Sequence, residues 1–347
     1  MRNSRITIKQ LAERLNLSPS TVSRALHNHP SIGKKTCDEV QKLANSLGYF
    51  PNSLASNLRR NKTNLIGVLI PRIDRTFQSL AISGIEEIAH KAGYYVTIFQ
   101  SNNSYEREVE NARMLLSNRA DGVIGCLALE TNQYDHFTNF ITNGIPLVFF
   151  DRVCNEIESS KVIIDDFTAS QKATEHLISI GCTRIAHIAG RQDITIFRSR
   201  LEGYKAALLK NNMEIDKSLI CITSDLSSEE GSECMERLLD LPVPPDGLFC
   251  ANDNTAISAI QFAKKKGIRI PDELAIIGFS NTPASTIIEP SLTTIDDHAF
   301  EMGQAAARLL IRQIEDKDLS IASETITIRH DLIIRESTDR STKETTK

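Results

Sequence analysis

The chain has 347 residues, 41% of them hydrophobic and 24% charged, which excludes whole-chain disorder and is long enough for two or three packed domains. Its formal charge of −4 is unevenly placed: residues 1–62 carry 11 Lys and Arg against three acids, net +8, and the other 285 carry 29 bases against 41 acids, net −12. The amino-terminal segment is therefore the candidate for a polyanionic partner.

Met1 to Leu11 is polar and basic, and no stretch approaches the roughly 18 apolar residues of a transmembrane helix, so a cytoplasmic protein with no membrane partner is expected. Seven cysteines, never spaced as CxxC, point to reduced, packed thiols. Thr7-Ile8-Lys9-Gln10 has the form of a capping box, and Ile8, Leu11, Ala12 and Leu15 continue it as one apolar stripe that ends at Asn16. Ser18-Pro19 supplies an N-cap and a first-turn proline for a second helix with Val22 and Leu26 on its buried side. A third helix, about Lys34 to Leu47, stops at Gly48. Three small basic helices with a tight turn between the first two describe a helix-turn-helix DNA reader. Pro51 to Arg60 is long enough for about two helical turns, marginal in isolation.

Thr7 to Ala12, Leu17 to Leu26 with Thr21-Val22-Ser23-Arg24, Gly48-Tyr49-Phe50-Pro51-Asn52, and Ala55 to Leu58 followed by Ile66-Gly67-Val68 closely resemble the LacI/GalR family of bacterial transcription regulators. The resemblance implies a DNA-binding domain over 1–50, a hinge helix over 51–62 and a two-lobed effector-binding and dimerisation domain over 63–335, before a polar tail at 336–347. It places Pro19, Ser20 and Arg24 where the family reads the major groove, makes Leu58 a wedge inserted from the minor groove into a central base step beside its symmetry mate, and counts Ala55 among the DNA-binding residues. A guanidinium suits a guanine edge, so direct readout is expected to lean on Arg24. Arg5, Lys9, Arg14, Thr21, Ser23, Arg59 and Arg60 are expected to be phosphate contacts or solvated charges, and Thr7 is counted among the DNA-binding residues.

From Asn64 short apolar runs alternate with amphipathic stretches. The runs begin with Leu65 to Ile70 and end with Leu292 to Ile295; the helical stretches begin with Leu80 to Lys91 and end with Phe300 to Ile314. This alternation predicts an α/β domain with parallel sheets covered on both faces, and its length predicts two lobes. The resemblance implies the same architecture, periplasmic-binding-protein-like of type I, with chain crossings placed near residues 162, 293 and 322. The amino-terminal lobe is then about 63–162 and 294–322, and the other lobe 163–293 and 323–335.

No GxSxG, GxxxxGK[ST], HExxH or GxGxxG motif occurs, so no catalytic residue, metal or cofactor is expected and an enzyme is disfavoured. His187 reads as a core or rim histidine, and the pairs Asp165-Asp166 and Asp296-Asp297 as loop caps or lobe-crossing hydrogen bonders. Local matches to the family place Phe77, Gln78, Arg152, Arg200, Asn252, Ser280 and Asn281 at the effector. Many relatives carry Asp where Ser280 stands, which makes a sugar less secure; with Arg152 and Arg200 in the cleft, a sugar acid or sugar phosphate becomes a candidate beside a neutral sugar.

The tail after Arg335 has no leucine heptads, so a homodimer is expected on a pseudo-palindromic double-stranded operator. The expected function is a sequence-specific DNA-binding transcriptional regulator, a repressor as most of the family are, allosterically controlled by a small-molecule effector between the lobes. The alternative is a solute-binding protein with a vestigial DNA-binding head.

Overall fold

The computed structural model describes residues 6–49, 62–316 and 322–340. They divide into two compact units, one ending at Thr63 and the other starting at Asn64. In the first, α1 (Ile8–Leu15), α2 (Pro19–Leu26) and α3 (Lys34–Ser46) lie where the periodicity predicts. The capping box closes, with the Thr7 amide donating to Gln10 Oε1 at 2.8 Å, and Asn16 takes a left-handed φ of 50° to end α1. Ser18 Oγ accepts from the Thr21 amide at 3.1 Å, starting α2 with Pro19 in its first turn. Leu11, Ala12, Val22, Ala25, Cys37, Val40 and Ala44 form the core, with Leu17 and Leu47 packed against it. Ala55, Leu58, Arg59 and all of the expected hinge but residue 62 lie outside the described residues, as does Arg5.

The second unit begins β1 (Leu65–Ile70), α4 (Thr76–Lys91), β2 (Tyr95–Gln100), α5 (Tyr105–Ser117), β3 (Gly122–Gly125), α6 (Asp135–Thr142), β4 (Leu147–Phe150) and β5 (Ser160–Ile164). It continues with α7 (Asp166–Ser179), β6 (Ile185–Ala189), α8 (Thr195–Lys210), β7 (Ile220–Ile222), α9 (Ser228–Leu239), β8 (Gly247–Cys250), α10 (Asp253–Lys265) and β9 (Ala275–Phe279). The last elements are α11 (Ala284–Ile287), β10 (Thr293–Asp296), α12 (Ala299–Glu315), β11 (Thr325–Ile328) and β12 (Asp331–Ile333). One sheet runs β11-β5-β4-β3-β1-β2, all parallel. The other runs β12-β10-β9-β8-β6-β7, parallel except where β12 meets β10. Central strands such as β4 and β9 are buried throughout, as strands covered by helices on both faces must be. Within the amino-terminal lobe α12 lies tight on α4, and Gly303 permits it, since a Cβ there would overlap the Ala81 carbonyl oxygen.

The lobe boundaries differ from the expected ones. The chain crosses after β5, after β10 and between β11 and β12, because Thr325–Ile328 pairs in parallel with Lys161–Ile164 and stays in the amino-terminal lobe. Residues 294–296 belong to the other sheet, through β10 against β9. Nor does a free polar tail begin at 336: Ser337 and Thr338 are buried, with the Thr293 amide donating to Ser337 Oγ at 2.8 Å and Arg340 Nη2 donating to the Asp246 carbonyl at 2.9 Å. Hydroxyls that satisfy strand-end backbone groups make this polar segment part of the fold.

His187, inside β6, is a core residue as expected. Its Nδ1 donates to the Phe249 carbonyl at 2.9 Å and its ring stacks on Phe249 and Tyr204. Burial pulls its pKa down to about 4. The unfolded chain takes up a proton below about pH 6.5, while folded His187 stays neutral until about pH 4, so its contribution is lost as pH falls across that window. The stability loss between pH 6.5 and 4 is expected to shrink by up to roughly 3 kcal/mol in His187→Phe, measured by urea unfolding at several pH values. An unchanged pH profile would remove His187 as the group responsible.

Candidate functional site

On the first unit, Pro19, Ser20 and Arg24 are exposed along α2, Thr21 and Ser23 are half-buried, and Thr7 is exposed at the cap of α1. The Ser20 and Thr21 hydroxyls each lie 2.8 Å from Ser18 Oγ, so both are held in the local capping cluster. Arg24 is the one basic residue of this helix, with a side chain long enough to reach well beyond it.

On the second unit, the carboxyl ends of strands from both sheets converge on a cavity of about 130 Å³, the position expected for ligands in open α/β sheets. Phe77, Gln78, Arg152, Arg200, Asn252 and Ser280 all line it. An adjoining cavity of about 380 Å³ shares Asp151 and Arg152 and is walled by Asp166 and Phe167. Arg200, 5% exposed, is held by three contacts. Its Nε donates to Asp166 Oδ1 at 2.8 Å, its Nη1 to the Ala251 carbonyl at 2.6 Å, and its guanidinium lies 3.6 Å from the Phe279 ring centre. Arg152 Nη1 donates to Asn103 Oδ1 at 3.1 Å. Gln78 Nε2 donates to Cys126 Sγ at 3.3 Å.

Two expected contacts are committed elsewhere. Asn252 Oδ1 accepts from the Thr255 amide at 2.8 Å to cap α10, and its Nδ2 donates to the Leu226 carbonyl at 3.1 Å, so it lines the cavity as a scaffold. Asn281 does not line the cavity: its Nδ2 donates to Asp296 Oδ2 at 2.9 Å and its Oδ1 accepts from Arg335 Nη2 at 2.6 Å. Asp253 anchors the same loop, accepting from the Thr282 amide at 2.7 Å and the Thr294 hydroxyl at 2.5 Å. A side chain at Gly278 would overlap that Asp253 carboxylate.

The sequence reading missed the groups that tie the lobes together. Asp225, beyond β7, accepts from Arg75 Nη2 at 2.9 Å and from Asn103 Nδ2 at 3.4 Å, with Arg72 at 3.8 Å, so an arginine pair from one lobe meets one carboxylate from the other across the cleft. It also read the acid pairs too uniformly. Asp165 caps α7 and Asp296 accepts from the His298 amide, as expected of caps. Their neighbours Asp166, the first residue of α7, and Asp297, just past β10, line the cleft and are buried.

Burial dominates the electrostatics here. Desolvation pushes Asp166 up to about 6 in spite of Arg200, and Asp297 up to about 7, with Ser280 and Arg200 pulling it down and Asp151 and Asp296 adding to the rise. Asp151, with a φ of 57°, is raised for the same reason. These carboxylates lie near Arg200, one of the two arginines that made an acidic effector a candidate beside a neutral sugar.

The protein-family description "Bacterial regulatory proteins, lacI family" matches residues 7–52, and "Periplasmic binding protein-like domain" matches residues 174–338. The HTH-type transcriptional repressor CytR of Escherichia coli (strain K12) is 34% identical over 332 residues, covering 96% of each chain. A transcriptional regulator CelR–cellobiose complex superposes with a TM-score of 0.73 at 26% identity, covering 96% of this chain and 100% of that one. The lac repressor dimer bound to operator and the anti-inducer ONPF shares the fold, with a TM-score of 0.86 at 23% identity over 96% of this chain and 99% of that one. Among the described residues no helix is long and apolar enough to cross a membrane. With a helix-turn-helix, a two-lobed domain with a cleft, and a repressor alike along nearly its whole length, the chain belongs to the lacI family of bacterial regulatory proteins and is a DNA-binding transcriptional regulator with an effector-binding domain.

Proposed function

We propose that the chain represses transcription as a homodimer on a pseudo-palindromic operator, and that a small effector held between the lobes sets its operator affinity. The convergence of Phe77, Gln78, Arg152, Arg200 and Ser280 on one inter-lobe cavity carries this reading. The cellobiose bound by the similar CelR supports a small-molecule ligand for such a domain. Asp225 and the facing arginines join lobes that an effector would hold together or separate. Effector and operator would then alter each other's affinity reciprocally, typically by about 1–3 kcal/mol. Catalysis has no part in this reading.

In the head, Arg24 reads a base edge, with Pro19 and Ser20 beside it, and Thr7, Thr21 and Ser23 meet phosphates. Selection of bound sequences from random DNA, with and without a ligand panel, tests the whole reading. Once a site is in hand, Arg24→Ala is expected to weaken it about 10- to 100-fold and to relax preference at one position per half-site, while binding to random DNA changes little. Equal losses on selected and random DNA would make Arg24 a phosphate contact instead.

A further inference from the structure

We propose that Cys221 and Cys234 form a redox-sensitive dithiol in the carboxyl-terminal lobe, that a hydroperoxide converts it to a disulfide, and that the bridge fixes the loop carrying Asp225. Neither cysteine lines the inter-lobe cavity, so the site stands independently of what that cavity binds.

Cys221 is the central residue of β7, the edge strand of its sheet, and is buried against α9. Cys234, half-buried on α9, brings its thiol into hydrogen-bond contact with the Cys221 sulfur. Arg237, almost one helical turn further on, donates from Nη2 to Cys221 Sγ at 2.8 Å and to the Ile220 carbonyl at 2.9 Å. The thiol and the guanidinium thus come from one face of α9 onto one sulfur. Cys250 belongs to the same apolar cluster, but it and Cys221 stand in register on either side of Ile188, two strands apart. That spacing is about 10 Å between Cα atoms. A disulfide spans no more than roughly 7 Å, which leaves Cys234 as the partner.

The reactive form of a cysteine is its thiolate. The Cys234 thiol and the Arg237 guanidinium hold Cys221 below the ordinary thiol range in spite of its burial, and the same contact keeps Cys234 protonated. Burial pushes Cys126, Cys154, Cys182 and Cys250 the other way, so Cys221 is set apart from them chemically. Cys221 gives up its proton and its sulfur takes one oxygen of hydrogen peroxide; the S–O bond forms, the O–O bond breaks, and the departing hydroxide leaves with that proton as water. The Cys234 sulfur then attacks the resulting sulfenic acid. The S–S bond forms, the S–O bond breaks, and the second hydroxide leaves as water with the Cys234 proton. Two thiols have been oxidised and one peroxide reduced to two waters. The bridge closes a ring around the segment between β7 and α9, where Glu230 already accepts from the Ser224 amide at 2.7 Å and the Asp225 amide at 3.1 Å. Asp225 is the carboxylate that meets Arg75 of the other lobe at 2.9 Å, so oxidation acts on the loop that joins the lobes.

The test treats the reduced full chain with hydrogen peroxide, caps the remaining thiols with N-ethylmaleimide and maps the peptides by mass spectrometry. A Cys221–Cys234 linked peptide is expected before the other cysteines change, and dithiothreitol is expected to reverse it. Cys234→Ser should leave a Cys221 sulfenic acid that dimedone traps. Arg237→Gln should slow formation of the bridge at pH 7 by about tenfold, the loss in thiolate that one unit of pKa brings. Hydrogen exchange of the 223–227 amides should slow by about tenfold in the bridged chain. Oxidation spread evenly over all the cysteines, a Cys221 sulfinic acid without a linked peptide, or a chain left wholly reduced by millimolar peroxide overturns the dithiol; these three readings come from the wild-type chain and need no variant to fold. An unchanged rate in Arg237→Gln removes the guanidinium from the activation. Unchanged exchange with the bridge in place overturns the link to the Asp225 loop.

Discussion

Arg200→Ala is expected to lower the stability of the effector domain by roughly 3–5 kcal/mol and to abolish effector binding. The size follows from what would be left behind. Asp166, 7% exposed, would keep its carboxylate in the protein interior with its cationic partner gone, and the Ala251 carbonyl would lose its donor. Even beside Arg200 the Asp166 pKa is lifted to about 6, desolvation outweighing the attraction. Without Arg200 it rises further. A carboxyl whose folded pKa lies above its unfolded value penalises the folded state at high pH, and the penalty fades as pH falls through the folded pKa toward the unfolded one. The deficit of Arg200→Ala should therefore be greatest near pH 8 and clearly smaller at pH 5, read by urea unfolding at each pH. Arg200→Lys restores a charge without the planar fork, so it should recover part of the stability and none of the effector affinity. A deficit under about 1 kcal/mol at both pH values would mean that the buried pair contributes little net organisation.

The sequence shows most clearly what local chemistry determines. The capping box at Thr7, the left-handed turn at Asn16 and the Ser18-Pro19 start are complete within a few residues, and all are observed. Apolar runs such as Leu65–Ile70 need only their own composition to read as buried strands. What stayed hidden depends on distant partners. Ile220–Ile222 is too short to show a period, and Thr325–Ile328 becomes a strand of the amino-terminal lobe only by pairing with Lys161–Ile164. That pairing moved the last crossing from the expected residue 322 to the link between β11 and β12. The site behaved similarly. Phe77 in the first turn of α4, Arg152 just after β4 and Arg200 in α8 all line the cavity, where their local sequence context alone points them. Asn281 sits away from the cavity because Asp296 and Arg335, which hold its amide, come from other segments. That Asp297 rather than Asp296 lines the cavity is not legible in the sequence, because which member of an acid pair turns inward depends on where β10 ends, a phase that a one-residue shift reverses.

Raising salt from about 50 to 200 mM is expected to weaken operator binding by about 10³-fold or more. The basis is the charge division along the chain, net +8 over residues 1–62 and −12 over the rest. In the described head, Lys9, Arg14, Arg24, Lys34, Lys35 and Lys42 are all exposed, so each copy presents several cations able to displace counterions from phosphate. A dimer engaging about three to five phosphates per head neutralises about 6–10 in all, and a plot of log affinity against log salt should then have a slope of about −5 to −9. Lys9→Ala should reduce the steepness by about one for each head that contacts phosphate through it, and should weaken selected and random DNA alike. Arg24→Ala should instead relax base preference, because a base edge carries no counterion to release. A wild-type slope shallower than about −3 would rule out engagement of both heads. Since the acidic remainder repels phosphate, the sensing domain would then influence DNA through the link between the units and the effector it holds, rather than by touching the duplex.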